Sequence, residues 1–181
     1  MMLDSIRFAR PNDHDAKQLL WVMDNTGLSK VWRTRHFSEE KILHILKQRI
    51  SERRYIVYQR MENPFVLSRK IVGYVIFDAA KGRLSDLPEV FRKERHDDYA
   101  YCYGIGVHSD YRKRGIAGKL YLFALKEAKR EGYLGLYADI DRGNSGSLNL
   151  HSKLDFHKVC TYKSKMRHMQ SGYNVVYLKE F

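Results

Sequence analysis

The feature that most constrains the fold is a strand pattern that runs directly into a glycine-bearing turn and an amphipathic helix. Residues 99–108, YAYCYGIGVH, are rich in tyrosine, isoleucine and valine, which favour strands. Apolar residues then recur at i, i+3 and i+4 spacing and predict a helix over 116–131; they are Ala117, Leu120, Tyr121, Ala124, Leu125 and Ala128. A strand that leads into a helix through a short turn is typical of proteins that combine strands and helices in one layered domain.

Strand-favouring runs and the i, i+3, i+4 spacing of helices also assign the rest of the chain. Strands are predicted at 5–11, 54–60, 70–79, 99–108, 136–141, 157–166 and 174–181. Helices are predicted at 14–26, 38–52, 116–131 and 144–155. Asn12 or Asp13 and then Ser38 are candidate N-caps, Gly27 is a candidate helix end, and Asn63-Pro64 predicts the turn of an antiparallel hairpin. The order β-α-α-β-β-β-α-β-α-β-β predicts one mixed α/β domain over residues 1–181.

Composition is typical of a globular protein of a reducing compartment. Of the 181 residues, 44% are hydrophobic, which is enough for a substantial core. Two cysteines cannot build a disulfide framework, and no run reaches the roughly 18 apolar residues of a membrane span. The first residues also lack the apolar core of a signal peptide. We therefore expect a cytoplasmic monomer or homodimer that does not bind membranes.

The net charge of +12 favours an anionic partner. A phosphate-rich cofactor, a nucleic acid and an acidic surface all fit, and so does a basic surface that is simply well solvated. Because the charge is spread along the chain, it does not choose between them.

Three phosphate-binding motifs compete for the glycines around the predicted turn. A P-loop requires G-x-x-x-x-G-K-[ST], but Lys113 stands where its first glycine would be and Leu120 follows Lys119. A dinucleotide fingerprint starting at Gly104 would need its third glycine at Ser109, and its first two glycines lie inside the strand. The pattern that remains is Arg-x-x-Gly-x-Ala over 112–117, between strand and helix.

This third pattern suits a diphosphate. A helix N-terminus exposes backbone N–H groups and carries a partial positive charge, and small residues let a ligand approach the backbone closely. Gly115, Ala117 and Gly118 supply the small residues, while Arg112, Lys113, Arg114 and Lys119 add positive charge. The alternative is a glycine-bearing turn that is basic by coincidence.

A second motif identifies a family. Residues 144–156, NSGSLNLHSKLDF, resemble the N-x-x-[AS]-x-x-x-[YH]-x-x-x-G-F signature of the GNAT superfamily of acyl-CoA-dependent N-acetyltransferases. Asn144, Ser147, His151 and Phe156 match it position by position, and VHSDYRKRGIAG is similar to the family's pyrophosphate loop. The two motifs occur in the expected order, with a helix and a strand between them, and the specific resemblance covers about residues 99–160.

The resemblance implies a mostly antiparallel central sheet with one splayed parallel strand pair and helices on both faces. It implies an acceptor-binding half, 1–98, and an acetyl-CoA-binding half, 99–181. The activity implied is direct transfer of an acetyl group from acetyl-CoA to a primary amine, without an acyl-enzyme and without a metal. The cofactor-binding residues implied are Ile105, Val107, Arg112, Lys113, Arg114, Gly115, Ile116, Ala117, Gly118, Lys119, Asn144, Ser147 and His151. The backbone of 113–119 would hold the pyrophosphate, and the pantetheine arm would pair along 105–107 like an added strand.

Two positions depart from the family pattern. Asp155 replaces the glycine before Phe156, and aspartate can adopt the left-handed conformation that ends a helix. Residues 99–108 contain no carboxylate, although many relatives carry a glutamate general base there. Asp97 and Asp98 are the nearest acids upstream, either as a base or as a solvated loop pair; Asp139, Asp141 and a water wire lined by Tyr101 and Tyr103 are further alternatives.

His151 occupies the position of a tyrosine or histidine in the family. The resemblance implies that it assists departure of the CoA thiolate, as an acid or as a hydrogen-bond donor, and a neutral imidazole can still donate one N–H. The alternative is a polar residue on a half-buried helix face. His157 and Cys160 lack partners at the spacing of a zinc site, so we predict no metal.

The acceptor is not fixed by these motifs. In the superfamily it depends on about residues 22–54 and 80–98, where the segment WRTRHF suits an anionic or aromatic acceptor or forms an ordinary surface turn. A rival hypothesis is a module of the same fold that binds CoA or nucleic acid, or acts in regulation, without catalysis. The basic segment 157–170, with Tyr162 interleaved, motivates the nucleic-acid alternative.

Overall fold

A computed structural model describes residues 4–27, 37–52, 54–63, 68–80, 98–163 and 171–181. The strands are β1 (Ser5–Phe8), β2 (Arg54–Asn63), β3 (Ser68–Ala79), β4 (Ala100–Val107), β5 (Gly135–Asp141), β6 (His157–Lys163) and β7 (Tyr173–Glu180). The helices are α1 (Asp13–Thr26), α2 (Glu39–Glu52), α3 (Ile116–Arg130) and α4 (Ser145–Lys153), with a 3₁₀ helix at Ser109–Tyr111. Within these ranges the predicted order of strands and α-helices is confirmed, and the 3₁₀ helix is an addition that the periodicity did not reveal.

The seven strands form one mixed sheet in the order β1-β2-β3-β4-β5-β7-β6. The pairs β1/β2, β2/β3, β5/β7 and β6/β7 are antiparallel. Strands β4 and β5 are parallel, but only Ala100–Cys102 pair with Leu136–Ala138, so the two strands share a ladder at their first residues alone. The predicted mixed sheet with a splayed parallel pair is therefore confirmed.

Two compact units divide the chain, and each combines distant segments. The first comprises Met1–Phe77 and Gly104–Ala124. Its helix α1 begins where the Asn12 side chain accepts the Asp15 N–H and ends where Gly27 adopts φ 81°. The buried Asp15 carboxylate binds the guanidinium of Arg7 at 2.6 and 2.8 Å, which joins α1 to β1. The predicted caps at Asn12 and Gly27 are confirmed.

The second unit comprises Asp78–Tyr103 and Leu125–Phe181. Its core includes Ala80, Tyr137, Val176 and Leu178, against which four half-buried residues pack: Tyr99, Tyr101, Cys160 and Tyr162. Side chains of β4, β5, β6 and β7 therefore meet on one face of the sheet, because residues two apart on a strand share a face. Tyrosine dominates this face.

Candidate functional site

The end of β4 is fixed by His108. Its imidazole stacks on Trp21 with ring centroids 3.8 Å apart, and its backbone N–H donates to the carbonyl of Val72. Burial lowers the pKa of His108, and Lys70 and Arg112 lower it further against the opposing influence of Asp110. The neutral ring can thus accept the Asp110 N–H at Nδ1, 3.4 Å away, and cap the 3₁₀ helix that follows. His108 therefore links the end of β4 to the 3₁₀ helix that follows it.

The loop between the 3₁₀ helix and α3 is shaped by two left-handed residues, Lys113 at φ 60° and Gly115 at φ 74°. Arg112 and Arg114, on either side of Lys113, both bind backbone carbonyls of the chain just before the loop. Arg112 donates from Nε to the carbonyl of Val107 at 3.0 Å, and Arg114 donates from Nη2 to the carbonyl of Asp110 at 3.0 Å. The predicted basic residues therefore stabilise the loop as well as giving it charge.

Helix α3 begins immediately after Gly115 and presents donors at its start. The N–H of Lys119 donates to the carbonyl of Gly115, so the N–H groups of 116–118 precede the helical hydrogen-bond ladder. The first turn contains no acidic residue. A Cβ added to Gly115 would meet no atom of the described chain within 4 Å, which leaves the backbone open to a ligand. These residues fit a diphosphate in charge, donor number and access.

Gly106, inside β4, is required by packing rather than by a ligand. A Cβ on Gly106 would lie 2.8 Å from Thr26 and from the ring of Tyr74. Gly106 is therefore required by packing of β4, which agrees with the rejection of the dinucleotide fingerprint. Ile105 is half-buried and Val107 is buried; both lie beyond the residues of β4 that pair with β5.

The second motif forms α4 and its caps. The Asn144 side chain accepts the N–H of Ser147 at 3.1 Å, so Asn144 is the N-cap. At the other end Asp155 adopts φ 56°, and the N–H of Phe156 returns to the carbonyl of His151. This pattern is a Schellman motif with aspartate in the left-handed position, as the sequence predicted. The departure from glycine leaves the helix end intact.

His151 is 1% exposed and lies against the rings of Phe156 and Tyr177. Its Nδ1 is 2.7 Å from the carbonyl oxygen of Ser147, which can only accept, so Nδ1 carries the proton. Burial lowers the pKa of His151, although the Ser147 carbonyl opposes this. In the neutral ring Nε2 is then an acceptor, and donation from Nε2 requires the imidazolium.

The base candidates differ in their surroundings. The side chain of Asp98 is exposed, and its backbone carbonyl accepts the N–H of Leu134; Asp97 lies outside the described residues. Asp139, by contrast, accepts the Tyr162 hydroxyl at 2.6 Å and the Asn174 amide at 2.9 Å, both at Oδ2. Sequence reasoning missed Tyr162 and Asn174 as partners; the only signal was an asparagine within the apolar strand NVVYL.

Among the described residues no group of three or more His, Cys, Asp and Glu side chains could hold a metal ion. None of the helices in those same ranges is both long and apolar enough to cross a membrane. Residues 32–36 of the segment WRTRHF and residues 164–170 of the basic segment lie outside the described ranges.

Comparison with known proteins agrees with this architecture. A Staphylococcus aureus N-acetyltransferase is 20% identical with a TM-score of 0.68, covering 99% of both chains. A ribosomal-protein-alanine N-acetyltransferase from Brucella melitensis is 21% identical with a TM-score of 0.71, covering 98% of this chain and 99% of that one. The Salmonella typhimurium acetyltransferase yncA, solved with its cofactor acetyl-CoA, is 18% identical with a TM-score of 0.68, covering 99% and 94%.

These likenesses show the fold. No curated protein sequence matches the chain. The model of the acetyltransferase (GNAT) family, however, matches residues 19–156, which include the loop before α3 and all of α4. The chain therefore belongs to the GNAT acetyltransferase family.

Proposed function

We propose that the protein is an N-acetyltransferase that transfers the acetyl group of acetyl-CoA directly to a primary amine. The observation that carries the proposal is the loop before α3, where an open left-handed glycine and the free N-terminal turn of a 15-residue helix coincide with four basic residues. Family membership supports it, and acetyl-CoA is present in the yncA structure and in an acetyl-CoA complex of a streptothricin acetyltransferase from Bacillus anthracis.

The N–H groups at the start of α3 bind the diphosphate, and the basic side chains of 112–119 neutralise it. The backbone of 105–107, which is not paired with β5, binds the pantetheine arm as a strand would. Asn144 and Ser147 fix the start of α4, which carries His151. We propose a single domain that carries both functions, with the body of the acceptor bound mainly before residue 99 and acetyl-CoA bound after it.

The reaction requires a neutral amine. Acetyl-CoA supplies the acetyl group as a thioester. The amine nitrogen attacks the thioester carbon, the C–N bond forms, and the C–S bond breaks with its electron pair leaving on sulfur. One proton leaves the amine before attack and a second afterwards, and one of the two can protonate the thiolate. We propose that one of these protons reaches sulfur through His151: Nδ1 is engaged by Ser147, so the neutral ring takes up the proton at Nε2 and passes it to the thiolate. Asp98 remains a candidate base.

Calorimetric titration with acetyl-CoA tests the proposal, with Gly115→Glu as the variant and Gly132→Glu as its control. Both glycines are left-handed, at φ 74° and 90°, and a Cβ on either meets nothing within 4 Å. Both substitutions therefore strain the backbone and add one negative charge. They differ in position, because the two glycines lie at opposite ends of α3. Loss of binding in Gly115→Glu alone is expected. Equal effects of the two substitutions, or no binding by the wild type, would contradict the proposal.

The non-catalytic alternative makes different predictions. Binding of nucleic acid to a basic surface releases counterions, so its affinity should fall steeply with salt and be insensitive to Gly115. Coenzyme A release with a panel of primary amines, measured by a thiol reagent, separates a catalyst from a CoA-binding module. Turnover that depends on both acetyl-CoA and an amine is expected.

A further inference from the structure

A polar cluster lies within the tyrosine-rich sheet face of the second unit. Asp139 of β5, Tyr162 of β6 and Asn174 of β7 come together because Tyr162 pairs with Asn174 in the β6/β7 register. The Tyr162 hydroxyl and the Asn174 amide both donate to Oδ2 of Asp139, and they lie 3.3 Å from each other. Burial and the neighbouring carboxylate raise the pKa of Tyr162, so the phenol keeps the proton that it donates. Two side chains therefore hold one carboxylate in place.

The amide oxygen of Asn174 is a further sign that the cluster binds a ligand. The residue is 0% exposed, and the carboxylate of Asp139 can only accept, so Nδ2 rather than Oδ1 must face it. The Oδ1 atom of Asn174 is then a buried acceptor without a donor in the described part of the chain. A buried amide oxygen without a donor costs free energy, and its place next to a fixed carboxylate indicates a ligand that brings N–H groups.

The surroundings favour a cation. Tyr99 and Tyr137 have ring centroids 5.2 Å apart, and those of Tyr101 and Tyr103 are 5.0 Å apart in an edge arrangement. Tyr101 and Tyr103 are half-buried, and aromatic faces attract ammonium groups. Burial raises the pKa of Cys160, the charge of Asp139 raises it further and Lys158 opposes them, so the carboxylate of Asp139 acts as a negative charge on this face.

We propose that Asp139 and Asn174 bind the ammonium group of the acceptor, so that the acceptor class is a cationic alkylamine rather than an anionic or neutral molecule. An ammonium has three N–H donors. The carboxylate of Asp139 and the Oδ1 atom of Asn174 can each accept one, and the tyrosine faces contact the alkyl chain. Tyr162 is a positioning residue, since it acts on the ammonium through Asp139. The assignment of this cation site to the acceptor rests on the proposed acetyltransferase function.

Nuclear magnetic resonance of the full chain tests the site without turnover. The probe is n-butylammonium, with n-butanol and n-butylsulfonate as neutral and anionic controls at matched ionic strength, and the readout is the side-chain amide resonance of Asn174. We expect a saturable shift with butylammonium alone. An equal response to all three probes, or no saturable response, would overturn the proposal, and this comparison needs only the wild-type protein.

Three variants test whether the negative charge of Asp139 binds the butylammonium probe. Asp139→Asn keeps the shape and removes the charge, and it should weaken butylammonium binding about tenfold or more. Glu180→Gln removes one charge from an exposed position on β7 and should leave binding unchanged. Tyr162→Phe keeps the carboxylate and should retain selectivity for butylammonium over butanol. Unchanged binding in Asp139→Asn, with a well-dispersed spectrum, would refute the assignment.

Titration of the same samples with acetyl-CoA separates the two proposals. Butylammonium binding without acetyl-CoA binding would leave the cation site standing and remove the acetyltransferase function. Acetyl-CoA binding without butylammonium binding would do the reverse.

Discussion

Replacing His151 by phenylalanine should destabilise the protein at high pH and much less at low pH. The imidazole is 1% exposed, and its Nδ1–H donates to the Ser147 carbonyl at 2.7 Å. Phenylalanine fills a similar space but cannot donate. The helical backbone still supplies a donor to that carbonyl, so the loss at pH 8 is that of one net hydrogen bond, about 1 kcal/mol.

The pH dependence follows from the lowered pKa of His151. The folded protein binds a proton at this ring less readily than the unfolded chain, in which the pKa is 6.5. The stabilisation is therefore fully present above pH 6.5 and is lost as the pH falls from there towards the folded pKa, by at most about 1.4 kcal/mol per pH unit. The phenylalanine variant lacks this loss, so its deficit relative to wild type should shrink between pH 8 and pH 5.

Urea unfolding at pH 8, 6.5 and 5 measures the difference in free energy of unfolding. His157→Phe is the control, because His157 is an exposed histidine of β6; its difference from wild type should not follow the same course. A deficit of His151→Phe that stays constant over this range would show that the buried imidazole is not held neutral. In steady-state assays, His151→Phe should lower kcat, because phenylalanine cannot pass a proton to the thiolate.

Three further substitutions and one control test an ion pair, backbone conformation and packing. Asp15→Asn should lower the free energy of unfolding by about 2 kcal/mol in urea at pH 7, because it removes the buried charge that pairs with the half-buried guanidinium of Arg7. Burial raises the pKa of Asp15, but the contacts with Arg7 and the Arg10 backbone outweigh it and hold that pKa below 3.8, so the loss should shrink as pH falls below that value. Asp155→Gly should raise the Tm by roughly 2 °C, since glycine adopts φ 56° without strain. Gly106→Ala should cost about 1–3 kcal/mol by chemical denaturation, whereas Gly146→Ala, whose nearest contact would be at 3.7 Å, should be close to neutral or stabilising.

Local signals predicted most of the fold. Asn12, Gly27 and Asn144 act within one or two turns of their own position, so their roles are readable from the residues beside them. The loop before α3 is equally local: Gly115 and the start of the helix are adjacent in sequence, and the structure brings its predicted residues together in one short segment.

The contacts that sequence could not supply join distant segments. Asp139, Tyr162 and Asn174 lie on three strands, and a period of two indicates which residues share a face but not which strands become neighbours. The order β5-β7-β6 brings the three side chains together. The stacking of His108 on Trp21 is of the same kind, since it joins the end of β4 to α1 across 87 positions, 108 − 21.

Substitution of Arg112 in the loop separates the contribution of its charge to acetyl-CoA binding from its contribution to the shape of the loop. If Arg112 contributed only charge, Arg112→Lys would bind acetyl-CoA as the wild type does. The structure instead shows Nε of Arg112 donating to the carbonyl of Val107, a contact that fixes the loop to the end of β4 and that a lysine ammonium cannot reproduce in the same planar geometry. Arg112→Lys should therefore weaken acetyl-CoA binding nearly as much as Arg112→Gln, by about 1 kcal/mol or more. Lys119→Arg is the matched control. The ammonium of Lys119 lies 5.8 Å from the Tyr58 ring centroid, and the variant keeps the positive charge, so it should bind acetyl-CoA as the wild type does. Calorimetry on the four proteins decides the matter: wild-type affinity in Arg112→Lys would mean that the backbone of the loop holds its shape without the guanidinium.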